Sequence, residues 1–330
     1  GALRLPVAGE VVVPPITDPG GVMPVAMLCQ VPVVADADKG TFNTSAEQIE
    51  AVLTPHTRAI VVAHIAGEPV DMDPILDLAS ARGIPVVEDC AQAHGASYKG
   101  RPAGTLGDIA AFSTMSGKHH ATGPQGGVVF SRDRDLLWEA KRFADRGKPF
   151  NVESSTNIRA GLNLNGNDLA ATVGRVQLER LPEMIRRRRT VARQIREAIS
   201  GLRAVRIGRE AGGDGGVYWF MRFFVDVDQL SVDKDVFARA IAAEGVPVGA
   251  AYRNIPSEAR WFRERCVFPG SDYPWGLPDY QGDRCATFPC PNAVAAAETH
   301  FMMSIHENFG QREFSDIAAA FAKVETAYLR

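Results

Sequence analysis

The sequence predicts an α/β protein, with a large domain on a mainly parallel sheet followed by a smaller α+β C-terminal domain. Three observations carry that reading. Continuous apolar runs such as Ile60-Val61-Val62-Ala63 and Ile84-Pro85-Val86-Val87 have the pattern of strands covered on both faces. Helical segments separate these runs, as βαβ units require. The 330 residues supply roughly two domains of about 150 residues each.

The elements follow in order. Val11-Val12-Val13 reads as a buried strand stopped by Pro14-Pro15, and Val31 to Val34 as a second. Ser45 is placed to N-cap a short helix through Glu47-Gln48-Ile49. Residues 60–64 form a third strand, and 73–81 a helix stopped by Arg82-Gly83. Further strands are expected at 84–89, 109–113 and 127–130, and a helix over 133–147. Residues 151–167 are a polar, Asn-rich connector. Residues 168–199 read as one long helix or two, interrupted near Pro182. Within it, Arg186-Arg187-Arg188-Arg189 reads as a solvated face rather than an anion site, because four consecutive residues point all around a helix. After a Gly-rich loop at 208–216 come a strand at 219–227, a helix at 236–244 and a strand entry at 246–248. An irregular stretch rich in aromatics, Pro and Gly follows at 253–283, then an amphipathic helix at 315–329. The domains divide as 1–199 and 200–330.

Composition narrows the function. Hydrophobic residues are 45% and charged residues 23%, which excludes low-complexity, coiled-coil and collagen-like chains. Lys+Arg 36 against Asp+Glu 39 leaves −3, so no global field attracts nucleic acid or an anionic membrane. No apolar run approaches the ~18 residues of a membrane span, and no secretory leader opens the chain. The five cysteines lack zinc spacing and read as reduced thiols of a cytoplasmic protein, with no metal site. At 35.6 kDa the folded surface should be roughly 13,000 Å². The chain opens Gly1-Ala2-Leu3-Arg4, without Met and almost directly into a strand, so a preceding N-terminal segment is expected.

In α/β sheets ligands bind beyond the carboxyl ends of the strands. Three polar clusters fall there: Glu88-Asp89-Cys90-Ala91-Gln92, Ser113-Thr114-Met115-Ser116-Gly117-Lys118, and Thr122-Gly123-Pro124-Gln125-Gly126-Gly127. A partly desolvated strand-end carboxylate wants a cationic partner. A lysine in a Gly/Ser-rich loop can act as a Schiff-base nucleophile when burial lowers its pKa. A carboxylate facing a pyridinium nitrogen, with a lysine forming the imine, is the chemistry of pyridoxal phosphate. Spacing alone leaves two simpler readings open, a solvated loop lysine and an N-capping aspartate.

The run Val86-Val87-Glu88-Asp89-Cys90-Ala91-Gln92-Ala93-His94-Gly95-Ala96, then Tyr98-Lys99-Gly100, Gly104 to Ser113, Lys118 and Gln125-Gly126-Gly127, closely resembles the DegT/DnrJ/EryC1/StrS family of sugar and aminocyclitol aminotransferases. Upstream, Gly9 to Thr17, Asn43 to Ile49, Pro55 to Ile60 and His64 to Asp73 match too. Downstream, Gly161-Leu162-Asn163, Ala170-Ala171, Gln177-Leu178 and Arg186-Arg187-Arg188 fit the connector and long helix. The resemblance covers residues 9–195 strongly and the remainder loosely.

It implies a fold-type-I transferase (aspartate aminotransferase-like) that binds pyridoxal 5'-phosphate and works as a homodimer with shared active sites. By that resemblance Lys118 matches the lysine that forms the aldimine, and Asp89 the carboxylate on the pyridine nitrogen. Gln92 matches the residue near the ring hydroxyl, Ser113 a phosphate-binding hydroxyl, and Asn163 an asparagine that reaches the partner subunit's phosphate. The implied reaction passes an amino group from glutamate or glutamine to a keto sugar, nucleotide-linked, or to a keto-cyclitol. Lys118 would shuttle the proton. His119 and His120, and Tyr252 and Arg253 with the aromatics and arginines of 252–283, are candidates for substrate contact. His94 reads as structural.

Several positions depart from the family pattern. The phosphate-binding Gly-Thr-Ala segment is absent, and Asp18 stands where a ring-stacking aromatic is usual. Pro124-Gln125 replaces Gly-Glu, and Asn165 replaces an arginine. Some relatives carry His in place of the lysine and act as sugar dehydratases, so Lys118 favours amino transfer. A non-catalytic relative that binds the cofactor is the third reading. A Rossmann dehydrogenase is disfavoured, since no GxGxxG follows a strand.

Overall fold

The computed structural model describes residues 1–210, 212–213 and 215–330. The expected loop at 208–216 therefore lies partly outside the described residues. In chain order the first elements are β1 (Glu10–Val13), α1 (Met23–Met27), β2 (Val31–Val34), α2 (Ala46–Glu50), β3 (Thr57–Ala63), α3 (Met72–Arg82) and β4 (Val86–Asp89). Next come β5 (Ser97–Tyr98), β6 (Arg101–Pro102), β7 (Ile109–Ser113), β8 (Gly127–Phe130), α4 (Arg134–Ala144) and α5 (Asp168–Ala198). The C-terminal part holds β9 (Val205–Ile207), β10 (Met221–Val225), α6 (Lys234–Ala243), β11 (Val248–Gly249), α7 (Arg260–Arg263), α8 (Pro291–Thr299), β12 (His300–Met303) and α9 (Gln311–Tyr328).

Six strands make the large sheet in the order β2-β1-β3-β4-β7-β8. All pairings are parallel except β7 with β8. Residues of β1 and β2 are buried throughout, which is why these strands read as unbroken Val-rich runs. Helices start where short polar side chains take up orphan amides. Ser45 accepts from Gln48, Asp133 from Asp135 and Leu136, Asn167 from Ala170, and Asp233 from Val236. The expected break near Pro182 does not occur, and α5 runs continuously through it. Leu181, Ile185, Val191, Ala192 and Ile195 bury one side of α5, and that packing holds the helix across the hydrogen bond the proline removes. The solvated reading of the arginine run is corrected at Arg188. This residue is buried, and Arg189 donates to Gly216 O and Gly215 O.

A second, antiparallel sheet, β11-β12-β10-β9, packs on α6 and α9 around Phe223, Phe237, Phe301 and Phe321. The irregular stretch packs instead on the β1–β2 side of the large sheet through Phe262, Trp275 and Tyr280. Tyr280 Oη donates to the buried Glu10 at 3.0 Å. The total surface is 15900 Å², about a fifth above the roughly 13,000 Å² of a globular monomer of this mass. Apolar side chains stay exposed along β8 (Val128, Val129), the connector (Leu162, Leu164) and the first half of α5 (Leu169 at 82%).

Two buried polar groups lock the architecture. Glu68, after β3, forms an ion pair with Arg222 of β10, whose side chain is wholly inaccessible. Burial pushes the Glu68 carboxyl up, and Arg222 opposes the rise. Glu68→Ala should therefore cost about 3–5 kcal/mol, while Glu68→Leu with Arg222→Met should restore most of it. Urea unfolding of the single and double variants checks this, and equal losses in both would refute it. Burial also lowers His94 to about 4 and His119 and His300 to about 3. The unfolded chain protonates these rings below pH ~6.5 and the folded chain only much lower, so stability is lost as pH falls. Each ring should contribute about 1.4 kcal/mol per pH unit between pH 6.5 and 5. Urea midpoints that stay flat across that window would contradict it.

Candidate active site

The carboxyl ends of β1, β3, β4 and β7 open on one edge of the sheet, where such folds place ligands. Glu88, on β4, is the buried anchor of that edge. His64 Nε2 donates to its Oε2 at 3.0 Å, and Val70 N–H donates to His64 Nδ1, which fixes the tautomer. The N–H groups of Gly104, Leu106 and Gly107 complete four bonds to the Glu88 carboxylate. Burial alone would raise this carboxyl; His64 and the Gly107 and Gly104 amides bring it below its ordinary value. His64, Glu88 and Cys90 have donor atoms within 4.8 Å of one another, yet both Glu88 oxygens and both His64 nitrogens are already hydrogen-bonded.

Asp89 ends β4 with its Oδ1 accepting the Ala91 N–H at 3.0 Å. Its Oδ2 has no hydrogen bond among the described residues and faces Gly21, where a Cβ would come within 3.0 Å. Burial pushes the Asp89 carboxyl up, opposed by the Ala91 amide, His64 and Lys118. Gln92 is buried; its Oε1 accepts the Ala66 N–H at 2.7 Å, and its Nε2 donates to Tyr252 Oη at 2.8 Å. The neighbouring Gly67 has φ +78, and a Cβ there would meet Gln92 O at 2.8 Å, so a side chain is excluded.

Ser113 ends β7, half-buried, and the loop beyond it carries Lys118. Thr122 Oγ1 donates to Thr114 O, and His120 Nε2 lies 2.9 Å from Gly174 O of α5, so the loop is braced from both sides. Lys118 Nζ sits 4.0 Å from the centroid of the Trp219 ring and makes no ion pair among the described residues. Burial lowers its pKa, and Asp89 and Asp18 pull it back.

The other candidates from the sequence lie around this edge and on the surface. His119 is buried, with its ring centroid 6.3 Å from that of His94. Arg253 lies on the surface, paired with Glu258 at 2.7 Å and Glu298 at 3.7 Å. Asn163 is exposed, and its Oδ1 accepts from Asn165. Asp18 follows β1 on the exposed rim and accepts the Gly20 N–H at 2.9 Å. Next to it lies an open cavity of about 260 Å³ lined by Thr17, Pro19, Arg253, Asn254 and Trp261, so the expected Arg253 stands at its rim. Sequence reasoning missed Trp219, which read only as a strand start, and the buried Arg188 behind it. The signal available was an indole at the foot of an otherwise buried apolar run.

This donor set fits pyridoxal 5'-phosphate. It offers an unpaired amine of lowered pKa, a strand-end carboxylate with one free oxygen beside a glycine cradle, a fixed glutamine and a strand-end hydroxyl.

The comparisons agree with the geometry. Residues 2–321 match the model of the DegT/DnrJ/EryC1/StrS aminotransferase family. The chain is 33% identical over 220 residues to GDP-perosamine synthase of Escherichia coli O157:H7, covering 67% of this chain and 59% of that protein. To GDP-perosamine synthase of Caulobacter vibrioides it is 32% identical over 287 residues, 83% of this chain and 76% of the other. The aminotransferase structure from Psychrobacter cryohalolentis superposes with a TM-score of 0.83 at 29% identity, covering 99% of this chain and 83% of that one. The chain belongs to the DegT/DnrJ/EryC1/StrS aminotransferase family, whose cofactor is pyridoxal 5'-phosphate.

Proposed function

We propose that the protein transfers an amino group from glutamate or glutamine to a ketone on a sugar, nucleotide-linked, or on a cyclitol. The observation that carries this is Lys118, a half-buried amine of lowered pKa with no ion-pair partner among the described residues, close enough to Asp89 for each charge to act on the other. Lys118 would hold the cofactor, Asp89 would face its ring nitrogen, Gln92 its hydroxyl side, and Ser113 its phosphate. Bound pyridoxal phosphate supplies an electron sink and a carbon that exchanges amino groups. Lys118 Nζ would then serve as the base that takes and returns the substrate proton, and burial, which lowers its pKa, favours the neutral amine that this role needs. Asp89 Oδ2 would lie beside the ring nitrogen, where a carboxylate stabilises a cationic ring. Tyr252, fixed by Gln92, and the rim cavity beside Asp18 are the places for substrate.

The presence of Lys118 supports amino transfer over dehydration. The purified chain with pyridoxal phosphate should show a visible absorption band that borohydride fixes and Lys118→Ala abolishes. Glutamate and glutamine assayed against keto sugars and inososes should yield amine on one acceptor class. No band, or a band without turnover of any donor, would overturn the reading.

The exposed apolar face of β8, the connector and early α5 suits a second copy of the chain, with Asn163 on the same surface. Light scattering should give twice the chain mass, and Leu164→Glu with Leu169→Glu should shift it toward the single chain. A wild-type chain of single mass would refute the dimer.

A further inference from the structure

We propose that Trp219 is the positioning residue of Lys118, seating the free ε-amine on its indole face. The inference rests on the aminotransferase reading. A lysine side chain has four rotatable bonds, and its amine needs a defined seat whenever it is not attached to the cofactor. The seat here is not a carboxylate, since Lys118 makes no ion pair among the described residues. Nζ lies instead 4.0 Å from the centroid of the Trp219 ring, within cation–π range of the best aromatic partner for a cation.

The ring is held on several sides. Its Nε1 donates to Gly117 O at 3.0 Å, on the residue before the lysine. Its backbone N–H donates to Ala66 O at 2.8 Å. The carbonyls of Tyr218 and Trp219 accept from Arg188 Nη2 at 2.7 and 3.2 Å. Arg188 is buried and paired with Glu307, so α5 clamps the segment that carries the indole.

The choice of an indole has a chemical consequence. A direct carboxylate partner would hold the amine strongly protonated and tie it down. Burial alone would strip its proton and leave it unplaced. A π face favours the ammonium moderately, so the amine is located yet able to release its proton. Asp89 and Asp18 are the carboxylates that act on Lys118, and the rings of His94 and His119, lowered to about 4 and 3, are neutral at pH 7.

The test is the pH profile of Lys118 acylation in the cofactor-free full chain, read by mass spectrometry of its peptide. Trp219→Leu keeps the amine buried but removes the π face, so the labelling midpoint should fall by roughly 0.5–1 pH unit, with unchanged circular dichroism. Trp219→Phe should fall by less than half as much. Should the Leu variant not fold, a drop of at least about 0.2 unit in the Phe variant supports the seat. Midpoints equal to wild type, or raised, overturn it. A wild-type chain that forms no visible band with pyridoxal phosphate defeats the aminotransferase reading instead, and the labelling midpoints still decide the lysine–indole contact.

Discussion

The carboxylate of Glu88 is the constraint on which the catalytic edge depends. It is fully buried, so every acceptor position must be filled, and its four donors come from two separate segments. His64 brings the end of β3, and the 104–107 turn brings the entry to β7. Those bonds set the register in which β3, β4 and β7 reach the rim together, and Asp89 is the next residue along β4. Removing a donor would leave a buried charge partly unsatisfied, which is more costly than never having placed it there. The strand-end carboxylate of Asp89 is thus positioned by a structural one.

The second constraint is the tie between the sheets. Glu68 leaves β3 only four residues after His64, and its partner Arg222 lies in the middle strand region of the antiparallel sheet. The segment just before β10 is thereby drawn across the Ala66–Gly67 turn, where Val217 and Trp219 donate to Gly67 O and Ala66 O. One consequence is that a residue of the C-terminal part covers a lysine of the N-terminal part. These backbone hydrogen bonds and the buried ion pair act together with apolar packing, in which Phe220 shares a core with Ala63 and Ile65, and Val217 with Cys90 and Ala93.

What could be read from the sequence follows from how local each signal is. The runs 11–13 and 31–34 were legible because a strand covered on both faces is apolar at nearly every position. Ser45 as an N-cap and the end of α3 near Arg82-Gly83 depend on a few adjacent residues, and both were legible too. The antiparallel sense of β8 has no local mark. Its residues are exposed, yet its Gly-Val-Val-Phe composition is that of a buried strand. The helix α8 and strand β12 escaped notice because Ala293 to Ala297 and His300 to Met303 have neither period 3.6 nor period 2. Asp89 and Lys118 stood out by motif, whereas Arg188 did not. Four consecutive arginines look equivalent until the helix is docked, and only packing selects the one that turns inward.

That selection explains how a surface-like sequence supports a buried site. Arg188 can be buried because it meets a carboxylate, Glu307, and two backbone carbonyls that have no strand partner of their own. Those carbonyls belong to the residues immediately before β10, where the chain leaves the loop to enter the sheet. A neutral side chain there would leave the carbonyls unpaired, and a lysine could not serve both at once with a planar fork. The arginine therefore converts an irregular approach segment into a fixed wall. The indole on that wall has a defined place over Lys118 because α5 defines where the segment runs.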